Sequence, residues 1–229
     1  MNEYIWLVQP ILEIMKTVLG VFVGAMLAFR LNRLTQEQLK RDDQREAAIL
    51  VSLTLSRLWN DYKNFSTSIA EHKVRLEKLH PGMPSWDKLP VHLPLPTFPK
   101  AFGEIKFEFS SLPFLFGIGY ESLRGELHMC QERYANFAHF VTEYNAAHVE
   151  AHRQVIEKFG AMGEAPMSEI EKSLGPVLYL RLEFLAGAVL TSIEKDMAHI
   201  RRVNGELEVA LSRHFGPGVK YMKLRFDEK

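Results

Sequence analysis

The sequence predicts an all-α protein, in which an N-terminal transmembrane helix continues into a cytoplasmic antiparallel three-helix bundle. Two observations predict this class. Residues 11–29 are largely apolar and residues 17–29 carry no charge, and three later stretches repeat apolar side chains every three or four positions. We therefore divide the 229 residues into a membrane anchor, 1–34, and a helical domain, 35–229.

The length of the first apolar stretch decides whether it can cross a bilayer. A spanning helix needs about 20 mostly apolar residues, and the uncharged stretch 17–29 is shorter than that. Extension back to Ile11 gives enough length but brings Glu13 and Lys16 to the edge of the bilayer. We expect a spanning helix in which these two charges face protein or water rather than lipid.

Helical spacing places the polar and small residues of the anchor on one side. We call this side the glycine face; it comprises Gln9, Glu13, Lys16, Gly20, Gly24 and Ala28. Small residues four apart let two membrane helices approach closely, so the face predicts self-association, with a pore as one outcome. Two alternatives stay open: a plain anchor whose charges reach the headgroups, and a soluble helix buried in the protein.

Flanking charge predicts the orientation of the anchor. Five basic residues follow it within a short distance, whereas Lys16 is the only basic residue before residue 17; the five are Arg30, Arg33, Lys40, Arg41 and Arg45. Because positive residues stay on the cytoplasmic side, we expect a single-pass protein of the inner membrane with a cytoplasmic C-terminal domain. Glu13 and the lack of a basic start argue against a cleaved signal peptide.

Composition limits the other functions. Hydrophobic residues make up 47% and charged residues 24% of the chain, which is typical of a folded protein. The formal net charge is zero, so a nucleic-acid partner is not indicated. The single cysteine, Cys130, excludes an intramolecular disulfide and a cysteine-built zinc site.

Three long helices account for most of the helical domain. The first continues from the anchor through a polar stalk, 35–46, and reaches residue 79, because neither Gly nor Pro occurs between residue 34 and Pro81. The second runs from near Gly119 to Phe159, and the third from Val177 to about Phe215 after a break at Gly175-Pro176. Anchor and first helix are thus predicted to form one continuous rod.

Residues 81–116 form a proline-rich and aromatic excursion between the first two helices. Its prolines exclude a long helix, and its aromatic rings either cap the core of the bundle or form a docking surface. The alternation in residues 104–109 predicts a short strand, which could pair with the alternating tail, 219–226, as a two-stranded β ribbon.

Histidines supply the most reactive side chains of the bundle. His72 and His148 fall on the apolar faces of their helices, where contact between them would form a pH-sensitive core. His148 and His152 have the spacing of two metal ligands, but no third ligand is near in sequence, and two buried histidines bonded to neighbours is the simpler interpretation. We expect no metal and no cofactor.

The stretch from Arg133 to His139, RYANFAH, resembles the motif of the HEPN ribonucleases, in which a His follows an Arg after a few residues. The stretch from Arg75 to His80, RLEKLH, matches as well. Matches of this kind are expected by chance in a chain of this composition. The resemblance implies a ribonuclease with Arg133 and His139 as catalytic residues; the lack of other enzyme motifs favours a protein that is not an enzyme.

The overall layout, one N-terminal span followed by a helical bundle, resembles the small membrane-tethered proteins of bacterial phage-defence and CRISPR loci. That resemblance implies an antiviral effector that assembles in the membrane and compromises its barrier when triggered. The partners expected are membrane lipid, further copies of the chain and a cytoplasmic protein that the bundle senses. The alternative is a membrane-tethered interaction module without a pore.

Overall fold

The computed structural model describes residues 5–82, 89–92, 95–98, 105–117, 119–160 and 166–216. Three α-helices dominate them: α1, Ile5–Leu79; α2, Glu121–Phe159; and α3, Met167–Phe215. Two 3₁₀ turns, Phe109–Ser111 and Pro113–Phe116, lie between α1 and α2. The chain divides into two compact units, Met1–Ala47 and Ala48–Lys229, and each is described by itself. The all-α prediction is confirmed.

Glycines define the helix ends and the break in α3. Gly160 follows α2 with φ +81°, and Gly216 follows α3 with φ +92°, a conformation in which a side chain would be strained. The predicted break at Gly175-Pro176 is confirmed, since Gly175 is non-helical with φ +68°. Helical structure also precedes this break, from Met167, so Met167–Phe215 consists of two helical segments joined at the kink, and the predicted helix from Val177 corresponds to the second.

The core of the second unit is built from the apolar faces of all three helices. The predicted spacing is confirmed, because the side chains repeated every three or four positions are the buried ones; the largest of them are Leu55, Leu58, Tyr62, Leu127, Phe137, Tyr144, Leu182, Ile200 and Leu207. Aromatic rings join α1 to α2: the Phe65 and Phe137 ring centroids lie 5.1 Å apart in an edge-to-face arrangement.

The directions of the helices differ in part from the prediction. Glu126 pairs with Arg202, and Glu143, further along α2, pairs with Arg181, so α2 and α3 are antiparallel as predicted. On α1, however, Tyr62 lies against Tyr134 and Phe65 against Phe137. At these contacts the residue numbers of both helices increase in the same direction, so the second half of α1 runs parallel to α2.

The excursion explains this parallel arrangement. Phe98 contacts Asn145, Phe107 contacts Gln131 and Phe114 contacts Tyr120, so its described residues pass along α2 from the middle of the helix back to its start. An extended chain covers up to about 3.3 Å per residue, whereas a helix rises 1.5 Å per residue. An excursion of this length can therefore run back along α2. A short loop would have forced neighbouring helices to be antiparallel.

The strand predicted at 104–109 is wrong over the residues described there. Ile105–Glu108 form no strand, and Phe109 begins a 3₁₀ turn. The alternation is real, since Ile105 and Phe107 are buried and Lys106 and Glu108 are not. The Phe107 backbone N–H, however, donates to Gln131 Oε1 of α2 at 3.1 Å, so the segment packs on a helix rather than on a second strand. The tail at 219–226 lies outside the described residues.

Candidate functional site

The first unit exposes a long apolar surface. Every side chain at 15–43 is exposed. The large apolar ones among 15–29 are 47–73% exposed; they are Met15, Val18, Leu19, Val21, Phe22, Val23, Met26, Leu27 and Phe29. A contiguous apolar surface of this kind marks a site of contact with a membrane or a partner.

Among the residues that the structure describes, two helices are long and apolar enough to cross a membrane on length and composition alone. In the first, Met15–Leu79, none of the most apolar stretch of 18 residues is buried. In the second, Ser168–Phe215, 28% of the corresponding stretch is buried. The second belongs to the bundle, where Leu182, Ala186 and Val189 form part of the core. The core helix of a soluble protein can be equally long and apolar, so the first helix, which is not buried, is the better candidate for a span.

The glycine face is open on the described part of the chain. A Cβ atom added to Gly20 or to Gly24 would meet nothing within 4 Å, so packing within this chain does not require either glycine. Glu13 and Lys16 are exposed, and Gln9 lies outside the described side chains. The Thr17 hydroxyl donates to the Glu13 carbonyl at 2.9 Å, a bond that satisfies this hydroxyl without water.

Inside the bundle, five polar side chains link the three helices. We call them the core polar cluster: Asp61 and Tyr62 of α1, Arg133 and Tyr134 of α2, and Asp196 of α3. Asp196, only 6% exposed, accepts a hydrogen bond from the Tyr62 hydroxyl at 3.0 Å and one from Arg133 Nη1 at 3.3 Å. The Tyr134 hydroxyl donates to Asp61 Oδ2 at 2.7 Å.

Burial and neighbouring carboxylates keep both tyrosines of the core polar cluster protonated. Burial, and then the charge of Asp196, raise the pKa of Tyr62 far above its ordinary value. Burial and the hydrogen bond to Asp61 do the same for the pKa of Tyr134. These hydroxyls are therefore permanent donors, and the cluster acts as a structural connection between the helices rather than as a source of protons.

The two residues of the HEPN resemblance have separate surroundings. Arg133 is bound to Asp196, while His139 is exposed. Six positions on a helix correspond to about 600°, so the two side chains leave α2 in directions about 120° apart. This part of the helix thus directs Arg133 into the core polar cluster and His139 toward solvent.

His72 and His148 are both partly buried, at the end of the bundle where α1 stops. Burial, followed by the charges of His152, His92 and His72, lowers the pKa of His148. Burial and Arg75 lower the pKa of His72. The two histidines therefore lie within electrostatic range of each other, and both favour the neutral form. Among the described residues, no group of three or more His, Cys, Asp or Glu side chains is placed to hold a metal.

One further cluster fixes the excursion to the bundle. Glu183 of α3 accepts the backbone N–H groups of Val91 and His92, each at 3.2 Å, and also binds His92 Nδ1. On α2, the Tyr144 hydroxyl lies 3.2 Å from the His92 carbonyl and 3.0 Å from the Leu95 carbonyl. The sequence gives little sign of this cluster, because its members come from three distant segments.

Most described aromatic rings of the excursion face the bundle. Phe98, Phe107 and Phe114 are at most 7% exposed, whereas Phe116 is 55% exposed. These buried rings favour the first of the two predicted roles, capping the core, over a docking surface.

Comparison with protein-family models, with curated proteins and with solved structures finds no match to this chain.

Proposed function

We propose that the chain is a single-pass, homo-oligomeric protein of the inner membrane without enzymatic activity. Its helical domain senses a cytoplasmic partner, and its membrane helices associate, with a pore as one form of the assembly. The observation that carries this proposal is the uncovered apolar surface at 15–29, together with the absence of any buried side chain at 15–43. Lipid is the medium in which such a surface is stable.

Self-association through the glycine face is the next step. A charged side chain facing lipid is unfavourable, so Glu13 and Lys16 favour an arrangement in which this face meets another helix or water. The open space at Gly20 and Gly24 leaves room for the backbone of that helix. Another copy of the chain supplies such a helix without any further component.

The basic residues that follow the span support a cytoplasmic location for the helical domain. Arg30 is free to contact headgroups, whereas Arg33 donates to Glu37 at 2.9 Å on the same exposed helix. Exposed pairs of this type are weak, at about 0.3–0.5 kcal/mol, and leave the positive-inside preference in place.

Two measurements on the full chain test the proposal. The chain should stay with the membrane fraction after an alkaline carbonate wash, and light scattering in detergent should give an oligomer. Replacing Gly20 and Gly24 together by Leu should lower the oligomer mass, because the added side chains separate the helices. The matched control is Val18→Leu with Ala25→Leu, which adds bulk about 120–140° away on the same helix and should leave the mass unchanged.

Each outcome decides one part of the proposal. A full chain that is soluble without detergent rejects the span. If the native chain and the variant Gly20→Leu with Gly24→Leu give oligomers of the same mass, the glycine face is not the contact. If an unrelated anchor replaces the span with no loss of function, the chain is a tethered interaction module without a pore.

A further inference from the structure

His199 is a buried histidine of α3 whose two ring nitrogens face different charged side chains. Its side chain is only 9% exposed. Nδ1 lies 3.2 Å from Nη2 of Arg202, three residues further along α3. Nε2 lies 3.3 Å from Oε2 of Glu126 on α2, and the same oxygen accepts a 2.7 Å hydrogen bond from Arg202. Glu126 is therefore shared between a buried imidazole and a guanidinium side chain that is 50% exposed.

The contact with Arg202 determines which nitrogen of His199 carries the proton. A guanidinium can only donate hydrogen bonds, so Nδ1 is the acceptor and the neutral ring is protonated at Nε2. The Nε2–H group faces Glu126 without the alignment of a hydrogen bond. Within the described parts of the chain, Nε2 is the one buried side-chain polar atom that lacks a hydrogen-bond partner. The contact between His199 and Glu126 is thus incomplete while the ring is neutral.

The surroundings of His199 favour this neutral form. Burial, and then the positive charge of Arg133 on α2, lower the pKa of His199. The carboxylate and the backbone of Glu126 raise this pKa, and the charge of Arg202 lowers it. A proton on the ring is therefore opposed by both arginines and favoured by the one carboxylate that lies beside Nε2.

The other titratable groups near His199 are engaged elsewhere. Arg133 binds Asp196 at 3.3 Å, and Tyr62 of α1 donates to the same carboxylate at 3.0 Å. Cys130 of α2 shares the charged neighbours of His199, but burial raises the pKa of its thiol to about 12, so it stays neutral near neutral pH. His199 and its two charged contacts are therefore the groups that can exchange partners.

We propose that His199 is a proton-operated switch in the contact between α2 and α3. A proton taken up from solvent at Nδ1 makes both ring nitrogens donors, so Arg202 can no longer donate to the ring and moves away from it. The imidazolium then binds Glu126, and this carboxylate passes from Arg202 to His199. Arg202 keeps its 2.7 Å hydrogen bond to Glu206 on its own helix. The switch operates whether or not the chain spans a membrane.

The position of Arg202 gives the switch a consequence at the surface. Its side chain forms part of the wall of an open groove of about 460 Å³, between the first turn of α2 and the last turns of α3. While the His199 ring is neutral, the carboxylates of Glu126 and Glu206 both bind this guanidinium. When the ring is protonated, only Glu206 remains bound. The groove therefore becomes more positive in acid.

NMR of the full chain in detergent, with isotope-labelled histidine rings, tests the switch. The His199 signals are those that are missing from His199→Gln. Above the titration midpoint, the ring-nitrogen shifts should show protonation at Nε2. Arg202→Gln should raise the midpoint by roughly half a pH unit or more, because it removes a positive charge and leaves Glu126 to His199 alone. Glu126→Gln should lower the midpoint, because the imidazolium loses its carboxylate.

Arg181→Gln is the matched control, because Arg181 also forms an ion pair from α3 to α2, with Glu143. It should leave the midpoint of His199 unchanged. The guanidinium signal of Arg202 should shift with the His199 midpoint in the native chain and stay constant over that range in His199→Gln. A neutral ring protonated at Nδ1 overturns the switch, and this test needs no substitution. The same midpoint in the native chain and in Arg202→Gln, or an Arg202 signal that shifts identically without His199, overturns it as well.

Discussion

The hydroxyl of Tyr62 donates a 3.0 Å hydrogen bond to the buried carboxylate of Asp196, and this bond joins α1 to α3 across the core of the bundle. Arg133 of α2 binds the other oxygen of the same carboxylate. One side chain therefore connects all three helices at one level. Because each helix could otherwise slide along its neighbours by a turn, this carboxylate helps to fix their relative register.

Removal of the Asp196 carboxylate should destabilise the bundle markedly. Asp196→Ala leaves the buried Tyr62 hydroxyl and the Arg133 guanidinium without their acceptor, and we expect a loss of about 2–4 kcal/mol in the free energy of unfolding. Tyr62→Phe removes one hydrogen bond and should cost about 1 kcal/mol. Chemical denaturation followed by circular dichroism measures both losses.

Lys195→Ala is the control for these variants, because Lys195 is the exposed neighbour of Asp196. It should change the free energy of unfolding by less than about 0.5 kcal/mol. An Asp196→Ala protein as stable as the Lys195→Ala protein would show that the carboxylate does not connect the helices.

The sequence predicts the helices of this protein better than their arrangement. The three-four spacing identifies α2 almost to its ends, because burial on one face leaves a periodic pattern along the chain. The parallel direction of α1 and α2 depends on where the excursion binds, and its anchors on Tyr144, Asn145 and Glu183 are distant in sequence. No local pattern encodes such contacts.

The core polar cluster has a weak sequence signature that was missed. Asp196 lies three residues after Ile193 and four before Ile200, so its spacing alone places it on the buried face of α3. A charged residue at such a position usually has a partner. Its particular partners, Tyr62 and Arg133, become evident only when the helices are assembled.

Arg133 and His139 should contribute differently from a catalytic pair. Arg133→Ala removes a hydrogen bond to Asp196 and should cost about 1 kcal/mol of stability, since the guanidinium side chain is 40% exposed and partly screened. His139→Ala alters an exposed side chain and should have an effect below about 0.5 kcal/mol. Purified full-length chain, incubated with single-stranded RNA, should give no products above those of a mock preparation. RNA cleavage that is lost in both folded variants would instead establish a ribonuclease.

The pKa shifts of His148 and His72 predict a bundle that weakens in acid. Burial lowers both pKa values in the folded chain, so the unfolded chain binds protons more readily as the pH falls through about 6.5. The neutral rings therefore make their full contribution to the free energy of unfolding above that pH, and this contribution decreases below it. The melting temperature of the full chain in detergent should fall between pH 7.5 and pH 5.5, a window on either side of the ordinary histidine pKa of about 6.5.

Substitution separates His148 from the other titrating groups. His148→Gln should reduce the fall in melting temperature, whereas His139→Gln, at an exposed position of the same helix, should leave the fall unchanged. His152, His92 and His72 also act on His148, so a residual dependence on pH is expected in the His148 variant. Identical pH profiles for the native chain and His148→Gln would exclude His148 as the sensitive group.

Glu183 should control the local stability of the excursion. Its carboxylate accepts the N–H groups of Val91 and His92, and Glu183→Ala removes both acceptors together with the contact to the His92 ring. Amide hydrogen exchange at 91–92 should accelerate, while exchange in the middle of α2 stays slow, because the excursion can open without unfolding the bundle. Glu169→Ala is the control, since Glu169 is an exposed residue of the first turn of α3. Equal exchange at 91–92 in the two variants would mean that Tyr144 and the buried Phe98 ring hold the excursion without Glu183.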